Sequence, residues 1–162
     1  MTASLEKIRF LVVDDNIHAL NIVRMLLRGL DVMHVFDART PEQAFEHLRN
    51  DEIDIVILDY MLRGADGLEF LRRLRTDPKS PAPYVPVIML TAYTERRRVE
   101  AARDAGVNAF CSKPVTAAEL LRKVALVIDQ PRPFVRSGDY AGPDRRRRDD
   151  LPKGPERRGR GR

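Results

Sequence analysis

Five times along this chain a short apolar run gives way to a segment of helical periodicity, and that alternation restricts the fold more than any other feature. "IRFLVV" (Ile8–Val13), "VMHVF" (Val32–Phe36), "IDIVIL" (Ile53–Leu58), "VPVIML" (Val85–Leu90) and "NAFCS" (Asn108–Ser112) read as strands. The first, third and fourth are almost wholly apolar, the pattern of strands buried on both faces of a parallel sheet. Between them, "HALNIVRMLLRG" sets Ala19, Ile22, Val23, Leu26 and Leu27 on one helical face, with Gly29 as its C-cap. Thr40-Pro41-Glu42 reads as an N-cap followed by proline at the first helical position. "DGLEFLRRLR", "ERRRVEAARDAG" and "TAAELLRKVALVI" complete the set. Five βα units predict an α/β fold, a five-stranded parallel sheet with helices on both faces; right-handed crossovers leave few strand orders, of which five strands suit 2-1-3-4-5. In such sheets function gathers at the C-terminal strand edge, where the strand order reverses.

The apolar periodicity stops near Asp129, which divides the chain into a domain over residues 1–128 and a tail over 129–162. Residues 1–128 carry 18 Lys+Arg against 18 Asp+Glu, whereas residues 129–162 carry 11 against 6. The net charge of +5 therefore belongs to the tail, and the basic balance says little about the domain. With 5 Gly and 5 Pro in 34 residues, the tail is expected to be disordered when free. The lone Cys111 excludes an intrachain disulfide and suits a reducing compartment. No signal-peptide pattern and no apolar stretch of about 20 residues occurs, so a cytoplasmic location is expected.

Chemistry concentrates at the ends of the expected strands. The first ends in Asp14 and Asp15, the third in Asp59, the fourth in Thr91 and Ala92, and the fifth is followed by Lys113 and Pro114. In the expected order the first and third strands are neighbours, so three carboxylates share one pocket. Their repulsion and burial raise at least one pKa, and a divalent cation relieves it. Mg²⁺ takes oxygen ligands, commonly one or two carboxylates, waters and a phosphate oxygen. Lys113 adds a second positive charge and Thr91 a hydroxyl, which together make a socket for a phosphoryl group on an aspartate. Any one of these acids alone reads equally well as a helix N-cap; their co-occurrence in strand order favours the socket.

"LVVDDN", "VILDYMLRGADGLEFLRRLR", "VIMLTAY" and "GVNAFCSKP" together resemble the motifs of the bacterial response-regulator receiver domain, over roughly Lys7–Ile128. The resemblance implies a CheY-like, flavodoxin-type fold with Asp59 as phosphoacceptor, phosphorylated from the phosphohistidine of a sensor histidine kinase or a histidine phosphotransfer protein. It implies Mg²⁺, or Mn²⁺, held by Asp15, Asp59 and the backbone carbonyl of Met61, with Asp14 assisting. It assigns Lys113, Thr91 and the Ala92 amide to the phosphoryl oxygens, Thr91 and Phe110 to a switch, and a cis bond to Lys113–Pro114. A downstream protein is then expected on the face formed by the fourth helix, fifth strand and fifth helix, where Arg96, Arg97, Arg98 and Arg103 lie. The chain departs from the family pattern at Arg63 and Ala65 in the loop after Asp59, and at Cys111, which reads as a small buried hydrophobe. Met61 and Tyr93, two residues beyond Asp59 and Thr91, carry no group suited to orient a hydrolytic water, so slow self-dephosphorylation is expected. Phosphatases of the haloacid-dehalogenase type need a second acid two residues after the nucleophile. Met61 and Asn16 stand there instead, and a turnover enzyme is not expected.

The tail is too short for an output domain, so action by binding is expected. "GPDRR" (Gly142–Arg146) recurs as "GPERR" (Gly154–Arg158). Arginine pairs bidentately with guanine, and a carboxylate accepts from the guanine N1 and N2 hydrogens. Asp144, Arg145, Arg146, Arg147, Arg148, Glu156, Arg157 and Arg158 are therefore candidate ligands for cyclic di-GMP. Arg132 and Arg136 add an RxxxR spacing. The tail is similar to the arginine-rich tails of single-domain receivers that bind this nucleotide. Nucleic-acid or membrane-surface binding is the third reading, and its interspersed acids weaken it; DNA is not an expected partner.

Overall fold

The computed structural model describes residues 4–62, 65–92, 96–138 and 140–145. After a short 3₁₀ turn at Leu5–Lys7, the chain runs β1 (Arg9–Val13), α1 (Ile17–Gly29), β2 (His34–Ala38), α2 (Pro41–Asn50) and β3 (Ile55–Asp59). It continues through β4 (Met61–Leu62), β5 (Ala65–Asp66), α3 (Gly67–Thr76), β6 (Val87–Thr91), α4 (Arg96–Ala105), β7 (Ala109–Ser112) and α5 (Ala117–Asp129). Two further strands, β8 (Phe134–Ser137) and β9 (Tyr140–Pro143), follow. The main sheet is parallel with order β2-β1-β3-β6-β7. Counted over its own five strands this is the expected 2-1-3-4-5.

The three apolar runs are divided between two cores with a period of two. Leu11 and Val13, Val56 and Leu58, and Val87 and Met89 face the core shared with Phe45, Phe70, Leu71 and Leu74 of α2 and α3. Phe10 and Val12, Ile55 and Ile57, and Ile88 and Leu90 face the core shared with Leu20 and Leu27 of α1 and Leu120 and Val124 of α5. Beyond Arg9 at the half-buried start of β1, a charge in these three strands would therefore meet a core whichever way it pointed. That is why the first acids appear only where the strands end.

Helix starts are set by side-chain caps. Asn16 Oδ1 accepts from the amides of His18 and Ala19, and Thr40 Oγ1 from Gln43 ahead of Pro41. Asp66 accepts from Leu68, and Thr116 from Glu119. Each satisfies amides that a helix leaves unpaired. Gly29 is the last helical residue of α1 and not its cap; the C-cap is Leu30, and Asp31 takes the left-handed conformation at φ 64°.

The structure departs from the expected tail over residues 130–145. Here β8 and β9 form an antiparallel hairpin, pairing Phe134 with Pro143 through Ser137 with Tyr140. Its turn uses Gly138 at φ 57°. The hairpin is held to the domain by its apolar residues. Phe134 packs edge-on against Tyr84 with ring centroids 4.6 Å apart, and Ala141 and Gly142 are buried. A Cβ on Gly142 would lie 2.7 Å from the Gly106 Cα, so the two backbones meet at a distance only glycine permits.

Candidate functional site

Asp14 follows β1, Asp59 ends β3 and Thr91 ends β6, all at one edge of the sheet. One carboxylate oxygen from each of Asp14, Asp15 and Asp59 lies within 4.8 Å of the others. Asp14 is 2 % exposed and Asp59 7 %, so repulsion between them is poorly screened. Lys113 opposes them, its ammonium donating to Asp59 Oδ1 at 2.8 Å. Lys113 is placed by its own backbone, whose amide donates to the Thr91 carbonyl at 2.9 Å as β7 leaves β6. The bond to Pro114 is cis.

Asp14 carries the electrostatic strain of the group. Burial, opposed by the Asn16 amide and reinforced by Asp59, pushes its carboxyl up to about 6. Asp14 Oδ1 accepts from Asn16 at 2.9 Å, while Oδ2 is buried without a hydrogen-bond partner. A buried carboxylate oxygen left unpaired is unfavourable. An oxygen-seeking divalent cation among these three carboxylates would remove the cost, so the donor set fits Mg²⁺.

The backbone around Asp59 is fixed from both sides. The Tyr60 amide donates to the Leu90 carbonyl, and the Gly67 amide to the Tyr60 carbonyl. Gly67 opens α3 directly against the strand end: a Cβ there would lie 2.5 Å from the Asp59 carbonyl oxygen and 2.8 Å from that of Tyr60. Gly67 is thus a site residue that motif spacing alone does not single out. Its one sequence signal is a glycine placed directly after an N-cap aspartate.

The strand-end residues of the sequence analysis are brought to this edge: Asp14, Asp15 and Asp59 together, Lys113 on Asp59, and Thr91 buried at the end of β6. Ala92 is exposed beside it. Met61 is 59 % exposed at the start of β4, and Phe110 is half-buried against the core of α2 and α3. Cys111 is fully buried, and burial, then Glu119, pushes its thiol up to about 11 despite Lys123 and Arg122, so it is an inert packing residue. Tyr93 lies outside the described residues, as do Arg63 and the side chains of Ala65 and Arg96.

The tail candidates do not converge on a ligand pocket among the described residues. Arg132 donates to the carbonyls of Val107, Asn108 and Asp144, and Arg145 pairs with Asp104 at 2.6 Å and lies over the Tyr140 ring. Both arginines hold the hairpin to the domain. Asp144 is half-buried, with its amide donating to the Pro133 carbonyl, and Arg136 is exposed on β8. Arg146, Arg147, Arg148, Glu156, Arg157 and Arg158 lie outside the described residues. None of these contacts supports the cyclic di-GMP reading.

An acid cluster at the switch point of a 2-1-3-4-5 sheet, faced by one lysine on the last strand's loop, defines a phosphoacceptor-type signalling domain. Residues 10–125 match the family model described as the response regulator receiver domain, and the chain belongs to that family. It is 33 % identical over 131 residues to chemotaxis protein CheY-3 of Vibrio cholerae, covering 80 % of this chain and 99 % of that protein. It is 30 % identical over 122 residues to CheY of Pseudomonas aeruginosa, covering 75 % and 97 %. Among solved structures, a CheY-like receiver domain protein from Methanospirillum hungatei superposes with a TM-score of 0.66 at 25 % identity, covering 76 % of this chain and 94 % of that one. The receiver domain of a Pseudomonas aeruginosa sensor histidine kinase, solved with a magnesium ion coordinated in its active-site cleft, gives 0.66 at 28 % identity, covering 75 % and 98 %.

Proposed function

We propose that the chain is a response regulator that accepts a phosphoryl group on Asp59 from a phosphohistidine and signals by phosphorylation-dependent protein binding. The observation that carries this reading is the Lys113 ammonium 2.8 Å from Asp59 Oδ1, within a cluster of three carboxylates. The donor is a sensor histidine kinase or a histidine phosphotransfer protein. An Asp59 carboxylate oxygen attacks phosphorus, the new O–P bond forms as the N–P bond breaks, and the imidazole leaves with the electron pair and takes up a proton. Lys113 holds the nucleophile and then accompanies one phosphoryl oxygen; the Thr91 hydroxyl and the Ala92 amide take the others. Such sites work by positioning and charge stabilisation more than by covalent help from the protein. Asp14, Asp15, Asp59 and the Met61 carbonyl are the groups to hold Mg²⁺, which when bound offsets the charge of the carboxylates and of the phosphoryl group. The chain is a phosphoacceptor and not a turnover enzyme, and the downstream protein binds the face of α4, β7 and α5.

Intact-mass spectrometry after incubation with acetyl phosphate and Mg²⁺ tests this. One added phosphoryl group is expected, lost on Asp59→Asn and on chelation of the metal. A group that persists on the Asp59→Asn protein would refute the assignment.

A further inference from the structure

The hairpin of β8 and β9 sits at the end of the sheet opposite the acid cluster, over the loops that precede β6 and β7. Beneath it lies a charged side chain in an unusual position. Arg75, the penultimate residue of α3, is 1 % exposed. Its guanidinium donates to neutral oxygens: the carbonyls of Gly106, Pro83 and Val85 and Asn108 Oδ1, at 2.6–3.0 Å. The Phe134 ring lies 5.7 Å from it, and burial pulls its pKa down to about 10. Four dipoles in place of water leave part of the desolvation cost of that cation in the docked state. A strap laid over a buried charge is held less firmly than its contacts alone suggest.

The strap is also fastened to α4. Arg103 of that helix donates to the Arg145 carbonyl at 2.8 Å, and Asp104 pairs with Arg145. Gly106, the residue after α4, meets Gly142 and the Ala141 carbonyl without room for a Cβ. The other end of α4 reaches the acid site: the Arg98 guanidinium lies over the ring of Tyr60, next to Asp59, at 5.5 Å. α4 is a rigid ten-residue element, about 15 Å long, with one end at Tyr60 and the other under the strap.

We propose that residues 130–145 form a releasable strap whose docking is coupled through α4 to phosphorylation of Asp59. The inference rests on the phosphoacceptor reading above. A phosphoryl group adds negative charge beside Tyr60 and draws the cationic first turn of α4, with Arg97 and Arg98, and its helix dipole toward it. Displacement of a rigid helix reappears at its far end. There the Gly106–Gly142 contact has no slack, so the strap lets go. Linkage makes the coupling reciprocal: a loosened strap favours the phosphorylated form.

The test uses the full chain with Mg²⁺ and beryllofluoride as the phosphoryl mimic, loading being verified by calorimetry. Hydrogen exchange in the 130–145 peptide is expected to quicken at least tenfold on loading. Gly142→Val and Arg145→Ala, chosen as a core and a surface disruption with folding checked by circular dichroism, are expected to tighten beryllofluoride binding at least threefold. Loading with unchanged exchange in the strap overturns the coupling and leaves the phosphoacceptor reading intact, as do release variants that bind the mimic as the parent does. Absence of loading in the parent overturns both.

Discussion

Asp14→Asn should make the metal-free protein more stable at neutral pH, although it removes a residue of the site. The folded-state carboxyl sits near 6, against 3.8 for an aspartate in water, chiefly through burial. Because the folded pKa is raised, the folded state holds this proton more tightly than the unfolded chain does. The parent's stability is therefore undiminished by Asp14 below pH 4 and falls as pH rises from about 4 to 6. A rise of that size corresponds to about 3 kcal/mol at pH 7.5. Asparagine keeps the oxygen that accepts from the Asn16 amide, and it carries no charge to desolvate. The variant should accordingly gain up to about 3 kcal/mol at pH 7.5, seen as roughly 6–10 °C in Tm, and almost nothing at pH 4. Millimolar Mg²⁺ should narrow the gap by stabilising the parent more than the variant. Urea titrations at pH 4 and 7.5, with EDTA and then with Mg²⁺, measure all of this. A variant less stable than the parent at pH 7.5 in EDTA would refute the claim that Asp14 is ionised at a cost.

Gly67→Ala places a methyl group 2.5 Å from the Asp59 carbonyl oxygen, and a strand backbone cannot yield to it. A loss of about 2 kcal/mol in stability and at least a tenfold slower phosphorylation by acetyl phosphate are expected, whereas parent-like rates would show that this contact does not position Asp59. Cys111 should resist iodoacetamide in the native protein at pH 8 and react within minutes in urea, as its burial and raised pKa require; rapid labelling of the native chain would contradict both. With Met61 exposed beside Asp59 and offering no carboxamide or carboxylate, the phosphoryl group should persist for many minutes after donor removal. A half-life of seconds for the purified protein would count against that reading.

The parts legible in the sequence are those where burial leaves no choice. β1, β3 and β6 are apolar at every core position, so each strand and its end can be read from hydropathy, and the acids have to stand where the strands stop. β2 is less sharply defined: it runs His34–Ala38, not Val32–Phe36, because an edge strand with an exposed start shows no clean apolar run. Arg75 is legible in principle. It stands four residues after Leu71 and seven after Leu68, on the apolar face of α3, but arginine at a core position is rare enough to be read as solvent-facing. The hairpin escapes a reading by composition for a different reason. Averaging over residues 129–162 lets the later Gly, Pro and Arg conceal Phe134, Val135, Tyr140 and Ala141 on either side of the turn at Gly138. The repeated "GPDRR" unit likewise gains a structural explanation for its first glycine, which has to pack on Gly106.

That placement separates the two ends of the domain by function. The acid cluster stands where β1, β3 and β6 end, and the strap covers the loops in which β6 and β7 begin. Between them lie the five residues of β6, fully buried and hydrogen-bonded to β3 and β7 along their length. Sliding such a strand would move every side chain on it out of two packed cores at once, so the sheet cannot carry a displacement from one end to the other. α4 is under no such constraint. Its backbone hydrogen bonds are internal, it enters the core through Ala102 and Ala105 and packs chiefly against α3, and its arginines reach Tyr60 at one end and the strap at the other. Small side chains such as Ala102 and Ala105 at a packing contact oppose little to sliding, since few interlocked groups must be disengaged. Of the described elements that touch both ends, α4 is the one whose movement costs least, and a strap fastened to its far end is thereby tied to the state of Asp59.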